Sequence, residues 1–127
     1  MSKHKPIDVV HKLVKAVNQR DLKAAMACYE NEAAFVVEPG QVVTGANAVR
    51  EALNVFISMK TIISTEKDKL IQSGDLVLYS SRWSATGTAP DGSLVKMGGT
   101  SSDVLRRQAD GRWLIVIDNP FGALILN

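Results

Sequence analysis

Two carboxyl groups stand at positions where residue type and surroundings suggest chemistry. Glu38 ends the apolar segment 33–38 and is followed directly by a Pro39–Gly40 turn. Asp103 falls on the apolar face of a long strand-like segment, where a carboxylate is costly unless it is paired or protonated. Two carboxyls in different environments suit acid–base chemistry, because the more desolvated one stays protonated and donates while the other accepts a proton.

A structural interpretation is also open for both carboxyls. Asp103 could cap a bulge or pair with Arg107, and Glu38 could be a solvated turn residue rather than a carboxylate at a pocket mouth. The sequence pattern alone does not choose between these alternatives.

Alternation along two strand-like segments predicts a pocket wall, since successive side chains of a strand point to opposite faces. In 76–86 the larger and more aromatic face is predicted to point inward, and it carries Val77, Tyr79, Ser81, Trp83 and Ala85. In the next segment the interior face is predicted to carry Val95, Met97, Gly99, Ser101, Asp103 and Leu105.

Asp118 and Asn119 are adjacent, so strict alternation allows only one of them to face inward. Asn119 would face the pocket if Trp113, Ile115 and Ile117 were interior. If Leu114 and Val116 were interior instead, Asp118 would face the pocket, and the sequence leaves both alternatives open.

Three other residues with reactive side chains favour structural interpretations. His11 lies at the edge of the first helix's apolar arc, where a half-buried structural histidine is favoured over a proton shuttle. Cys28 has no evident neighbouring base and is interpreted as a small buried hydrophobe. His4 is terminal, and two histidines without companion ligand spacing give no signal of a metal site.

Apolar spacing predicts the elements that must position these side chains. The stripe formed by Ile7, Val10, Val14 and Val17 predicts an amphipathic helix. Asp21 is predicted to cap a short second helix, whose apolar set is Leu22, Ala25, Met26 and Tyr29. A third helix starts at Thr44 or Gly45, and strands are predicted at 33–38, 42–43, 61–72, 76–86, 94–108 and 113–119.

This order of elements predicts an α+β fold in which three N-terminal helices pack on one face of a strongly curved, mixed or antiparallel sheet. Gly98 and Gly99 fall in mid-strand, where they are predicted to bulge or bend the sheet. A strongly curved sheet with helices across its concave face leaves a cone-shaped cavity, so the architecture itself favours a pocket.

Composition limits the classes of function. The 127 residues suit one domain spanning 1–127, and a net charge of +2 argues against a nucleic-acid partner. A single cysteine favours a reducing, cytoplasmic location. The N-terminus does not have the pattern of a signal peptide, and no segment approaches the ~20 apolar residues that span a bilayer, so no membrane partner is expected.

Several stretches together resemble the nuclear transport factor two-like superfamily, in its SnoaL-like and ketosteroid-isomerase-like branch. They are LVKAVNQRDLKAAMACY, AAFVVEPG, TGANAVREAL and the terminal DGRWLIVIDNPFG. The resemblance covers nearly the whole chain. It implies a cone-shaped, cystatin-like roll and a superfamily of isomerases, polyketide cyclases, dehydratases and subunits that only assemble.

The resemblance also implies roles for single residues. Glu38, before Pro39, is similar to the position of the isomerase's general base, and Asp103 to that of its protonated oxyanion donor. Tyr79, Ser81 and Trp83 correspond to pocket-lining positions. Leu13 corresponds to a tyrosine that supplies the second oxyanion donor, and leucine has no donor.

The expectation is therefore a pocket for an apolar, carbonyl-bearing small molecule, with isomerase or cyclase chemistry by proton abstraction. Glu38 and Asp103 are the expected catalytic pair, and the expected substrate-binding residues are Leu13, Tyr79, Ser81, Trp83 and Asn119. No cofactor or metal is expected, and the resemblance implies a homodimer formed through the outer sheet face. The alternative is a non-catalytic ligand-binding or assembly module with a vestigial pocket.

Overall fold

The computed structural model describes residues 4–127, which form three helices, six strands and a C-terminal 3-10 turn. The helices are α1 (Pro6–Asn18), α2 (Leu22–Met26) and α3 (Ala46–Ser58), and the 3-10 turn is Gly122–Leu126. The strands are β1 (Tyr29–Glu38), β2 (Gln41–Thr44), β3 (Ile62–Ser73), β4 (Leu76–Thr88), β5 (Leu94–Arg107) and β6 (Trp113–Asp118).

The six strands form one open, mixed sheet in the order β2-β1-β6-β5-β4-β3. β1 and β6 run parallel to each other, and every other neighbouring pair is antiparallel. Helix side chains pack against the inner face of this sheet around a core that includes Val17, Val49, Val77 and Leu105. The predicted α+β class is therefore confirmed.

Both N-terminal helices begin at local signals. Pro6 opens α1, where a missing N–H costs nothing, and the Asp8 carboxylate accepts a hydrogen bond of 2.9 Å from the Lys5 N–H. The predicted cap of α2 is confirmed, because the Asp21 carboxylate accepts from the Ala24 N–H at 3.0 Å. The helix ends at Met26, however, and Tyr29 is the first residue of β1 rather than part of the helix.

Gly98 and Gly99 were predicted to bulge or bend the sheet, and the bulge does not form. Pairing of β4 with β5 is continuous from the Leu76–Arg106 pair to the Thr88–Leu94 pair. Gly99 instead lies against the segment that follows β6, where an added Cβ would lie 3.5 Å from the Pro120 carbonyl oxygen.

A bulge does occur in β6. Leu105 pairs with Ile115, but its neighbour Val104 pairs with Ile117, so Val116 is an extra residue on β6. Such a bulge reverses the alternation of side chains beyond it. Ile115 is buried, Ile117 is exposed on the outer face, and Asp118 returns to the inner face.

No helix within residues 4–127 has the length and apolar character needed to cross a membrane.

Candidate functional site

A cavity of about 120 Å³ lies between the helices and the inner face of the sheet. The helical side is apolar, with Val10, Leu13, Val14 and Val17 from α1 and Leu53 and Phe56 from α3. The polar groups come from the strands and the ends of strands, and they include Tyr29, Tyr79, Ser81, Ser101, Asp103 and Asp118. A ligand must therefore place its polar edge against the sheet.

Asp103 and Asp118 form a carboxyl pair in the cavity wall. The two carboxyls hydrogen-bond to each other. The Asn119 backbone N–H donates to Asp103 Oδ1 at 2.6 Å, and the Tyr29 hydroxyl donates to Asp118 Oδ2 at 2.6 Å. Both carboxyls retain a little accessible surface because they line the cavity.

Burial raises the pKa of both carboxyls above the ordinary value of 3.8. The neighbouring Asp118 charge raises the pKa of Asp103 further, and the hydrogen bond from the Asn119 N–H only partly opposes this. Hydrogen bonds from Tyr29 and Asp103 oppose the effect of burial on the pKa of Asp118. The first proton of the pair therefore resides on Asp103, and Asp118 is the carboxylate that accepts hydrogen bonds.

Tyr29 is a fixed hydrogen-bond donor to this pair. Burial, and then the Asp118 charge, raise the pKa of its hydroxyl well above the usual value, so the phenol stays neutral. The ring stacks on Phe35 with 6.2 Å between centroids, which holds the hydroxyl in place.

A second polar group lies beside the carboxyl pair on the sheet. Ser81 and Ser101 face each other across β4 and β5, with 2.6 Å between their hydroxyl oxygens. The next row pairs Tyr79 with Asp103, and the Tyr79 hydroxyl donates to Asp68 on β3 at 3.0 Å. Burial raises the pKa of Tyr79, so it also remains a neutral donor.

Four of the expected binding residues line the cavity: Leu13, Tyr79, Ser81 and Trp83. The Trp83 indole N–H donates to the Pro120 carbonyl at 2.8 Å, so it ties the chain after β6 to the cavity wall. Leu13 contributes only hydrocarbon, and α1 supplies no polar atom to this wall.

The structure does not bring Glu38 to Asp103. Glu38 is exposed at the end of β1, pairs with Gln41 across the β1–β2 hairpin, and is absent from the cavity wall. The geometry matches the alternative interpretation of a solvated turn residue.

Asn119 is buried but does not line the cavity. Its side chain organises the following turn, since the amide N–H donates to the Gly122 carbonyl at 3.1 Å and the amide oxygen accepts from the Phe121 N–H at 3.2 Å. Its contribution to the site is the backbone N–H that binds Asp103.

The remaining candidates lie outside the site. His11 is exposed on α1, and Arg107 pairs with Asp75 rather than Asp103. Cys28 is buried, and burial raises the pKa of its thiol to about 11, which suits a structural residue. Within residues 4–127, no three His, Cys, Asp or Glu side chains are grouped as metal ligands would be.

Residues 10–116 match the model of the SnoaL-like domain. The chain belongs to the SnoaL-like domain family. A search of curated proteins finds no match.

Solved structures share the fold of this SnoaL-like domain. A nuclear transport factor 2 (NTF2-like) superfamily protein from Salmonella enterica serovar Typhimurium LT2 superposes with a TM-score of 0.78 at 14% identity, over 88% of this chain and 84% of the other. A protein proposed to be a ketosteroid isomerase, from Shewanella frigidimarina NCIMB 400, gives 0.77 at 19% identity, over 89% and 91%.

The epoxide hydrolase/cyclase-like enzyme SalBIII, with a role in pyran ring formation in the polyether salinomycin, gives a TM-score of 0.73 at 23% identity, over 90% and 87%. At these identities the likeness shows the fold, a fold that houses ligand-binding and catalytic proteins.

Proposed function

We propose that this SnoaL-like domain binds an apolar, carbonyl-bearing small molecule and catalyses proton transfer next to the carbonyl, as an isomerase or cyclase does. The observation that carries the proposal is the Asp103–Asp118 carboxyl pair in the wall of a cavity whose helical side is apolar. Buried carboxyls with displaced pKa values in a cavity are typical of acid–base sites.

The two carboxyls have different roles because their surroundings differ. Asp103 holds the proton and donates it to the substrate carbonyl oxygen, while the Asp118 carboxylate takes a proton from the adjacent carbon. A neutral enol results, and the pair still holds one proton, now on Asp118. Return of that proton to a different carbon, with return of the enol proton to Asp103, completes an isomerisation.

In this proposal Asp118 is the general base, the role that the family resemblance implies for Glu38. A general base must be within hydrogen-bond reach of the proton it removes, directly or through one water. Asp118 lines the cavity and accepts from Tyr29, whereas Glu38 is exposed and absent from the wall.

Hydrogen–deuterium exchange tests this proposal without knowledge of the natural substrate. Isophorone, an apolar cyclic enone, is incubated with the protein in D₂O, and loss of the signals of its enolisable protons is followed by NMR. The wild type should accelerate exchange, and Asp118→Asn should slow it by about 100-fold or more. Glu38→Gln is the matched carboxylate-to-amide control and should exchange like the wild type.

Two outcomes would contradict the assignment. If Glu38→Gln abolished exchange while Asp118→Asn retained it, the base would be Glu38. If the wild type bound isophorone but did not accelerate exchange, proton abstraction next to a carbonyl would not be its chemistry.

The second candidate function is ligand binding or assembly without turnover. The observation that favours it is the wholly apolar α1 wall, where Leu13 supplies no second donor to an oxyanion. One missing oxyanion donor costs about 10²–10³ in rate. Binding of isophorone with no exchange would support this candidate.

The proposed state of the protein is a homodimer formed through the outer sheet face. Ile71, Leu78, Val104 and Ile117 stand side by side across β3, β4, β5 and β6 and form an outer apolar row. Ile71, Leu78 and Ile117 are 67%, 44% and 38% exposed. A contiguous exposed apolar patch of this kind is typical of an interface.

A further inference from the structure

The Ser81–Ser101 pair contains more hydroxyl protons than its mutual hydrogen bond uses. Both residues are more than nine-tenths buried, and both line the cavity. Their oxygens are 2.6 Å apart, and the Ser81 backbone N–H donates to Ser101 Oγ at 3.1 Å. Two hydroxyls carry two protons, and one bond between them uses one, so one O–H remains to be placed.

The remaining proton has two alternative locations. If Ser101 donates to Ser81, the free proton is on Ser81, beside the Tyr79 hydroxyl oxygen, which can accept it. If Ser81 donates to Ser101, the free proton is on Ser101, which already accepts from the Ser81 N–H. In the first arrangement both hydroxyl protons are used in hydrogen bonds within the protein. In the second arrangement the Ser101 hydroxyl is a free donor that faces the cavity.

The geometry points to a second ligand subsite at Ser81 and Ser101, which binds an oxygen acceptor on the ligand distinct from the one at Asp103. This inference rests on the proposed function and narrows its substrate class to compounds with two oxygen atoms.

The spacing of the two polar groups sets the spacing of those oxygens. Ser101 and Asp103 are two residues apart on the same face of β5, which corresponds to about 7 Å between their Cα atoms. Two carbonyl oxygens at opposite ends of a six-membered ring suit this separation. The α1 and α3 walls hold the ring through hydrocarbon contacts, so the class is a cyclic diketone or a similarly substituted ring with an apolar body.

A matched pair of probes tests the subsite. Isophorone carries one carbonyl, and 4-oxoisophorone carries a second one across the same ring. Their dissociation constants are measured by titration calorimetry with the wild type and with the Ser81→Ala/Ser101→Ala double variant. In the double variant the affinity for 4-oxoisophorone should fall by about tenfold relative to the affinity for isophorone, because the second carbonyl oxygen of the diketone is then buried without a hydrogen-bond donor.

The single variants provide the matched control. Ser81→Ala leaves the Ser101 hydroxyl free to donate, and Ser101→Ala leaves that of Ser81. Each single variant should therefore keep more of the diketone preference than the double variant. Thermal unfolding of all four proteins checks that the comparison is made on folded protein.

The outcomes separate the two proposals. An unchanged affinity ratio in a double variant that still binds isophorone would overturn the serine subsite and leave the proposed function intact. If neither ketone bound the wild type, the proposed function would fail and the subsite that rests on it would fail as well. A ratio of affinities that shifts against the diketone in the double variant would support both the proposed function and the serine subsite.

Discussion

Asp118 meets Asp103 in the cavity because β6 carries one extra residue opposite β5. Val104 and Leu105 are adjacent, yet they pair with Ile117 and Ile115, so Val116 has no partner and the alternation of β6 reverses. Without this bulge Asp118 would point to the outer face. The bulge thus creates a buried carboxyl pair from residues that lie on different strands, and Tyr29 and the Asn119 N–H then complete its hydrogen bonds.

The carboxyl pair predicts a bell-shaped pH dependence for isophorone exchange. Exchange requires an ionised Asp118 and a protonated Asp103, so the rate rises as the pair loses its first proton and falls as it loses its second. Because burial raises the pKa of both groups, both limbs should lie above pH 3.8. Exchange rates from about pH 3 to about pH 10 measure the profile. A rate that rises through an acid limb near 3.8 and then stays flat would contradict a shared pair.

Residue patterns predict the inward-facing side chains of β4 and β5 correctly, because side chains along these two strands alternate between the two faces without interruption. Tyr79, Ser81, Trp83 and Asp103 follow that alternation, and each lines the cavity. Their face depends only on the period of a regular strand, which can be read from residue types.

The site residues that residue patterns do not predict owe their positions to irregularities in the strands and helices. Asp118 faces inward because of the bulge at Val116, and neighbouring residue types do not mark that bulge. Tyr29 fits the apolar spacing of α2, but the helix ends at Met26 and Tyr29 begins β1. Glu38 follows an apolar strand like a pocket residue, and yet its hairpin leaves it exposed. The bulge in β6, the end of α2 and the exposure of Glu38 depend on tertiary contacts rather than on the local pattern of residue types.

Asp103→Asn should remove part of the pH dependence of stability. Asp103 has a folded-state pKa raised above 3.8, so the folded chain holds this proton more tightly than the unfolded chain does. Its contribution to stability is fully present below pH 3.8 and is lost as pH rises towards the raised pKa. The amide mimics the protonated acid, since its N–H can donate to Asp118 and its oxygen can accept from the Asn119 N–H.

Urea denaturation of wild type and Asp103→Asn between pH 4 and 8 measures this effect. The variant should gain stability relative to the wild type as pH rises. A difference that stays constant with pH would mean that the folded protein does not hold the Asp103 proton more tightly than the unfolded chain.

Tyr29→Phe should destabilise the ionised form of the Asp118 carboxyl. Loss of the 2.6 Å hydrogen bond from the hydroxyl raises the pKa of Asp118, because that bond favours the charged form. The acid limb of the exchange profile should move to higher pH, and stability should fall by about 1.5–3 kcal/mol at neutral pH. Tyr29 acts through Asp118 as a positioning residue. A stability loss with no movement of the acid limb would reduce its role to packing.

Leu78→Lys should disrupt the proposed dimer. Leu78 lies in the middle of the outer apolar row, between Ile71 and Val104, and a charge there would be buried without a partner in the interface. Val55→Lys is the matched control, because Val55 is 58% exposed on α3, in the helical layer. Size-exclusion chromatography with light scattering should show a dimer for the wild type and the control, and a monomer for Leu78→Lys. A wild-type monomer would refute the dimer.

Gly122→Ala should loosen the segment after β6, of which Pro120 lines the cavity. Gly122 has a φ of +54°, and an added Cβ would lie 2.5 Å from the Thr100 carbonyl oxygen, too close for any real contact. Gly74→Ala is the matched control, because Gly74 has a similar φ of +58° but no atom within 4 Å of the added Cβ. Positive φ alone costs roughly 1–2 kcal/mol for alanine, and the clash adds to that cost at position 122 only.

Urea denaturation should therefore rank wild type above Gly74→Ala and Gly74→Ala above Gly122→Ala. The segment from Asn119 to Gly122 also carries the N–H that binds Asp103 and the Pro120 carbonyl that binds Trp83. Gly122→Ala should consequently slow isophorone exchange, whereas Gly74→Ala, in the β3–β4 turn, should not. Equal stability and equal exchange in the two variants would show that the approach to Thr100 does not constrain the site.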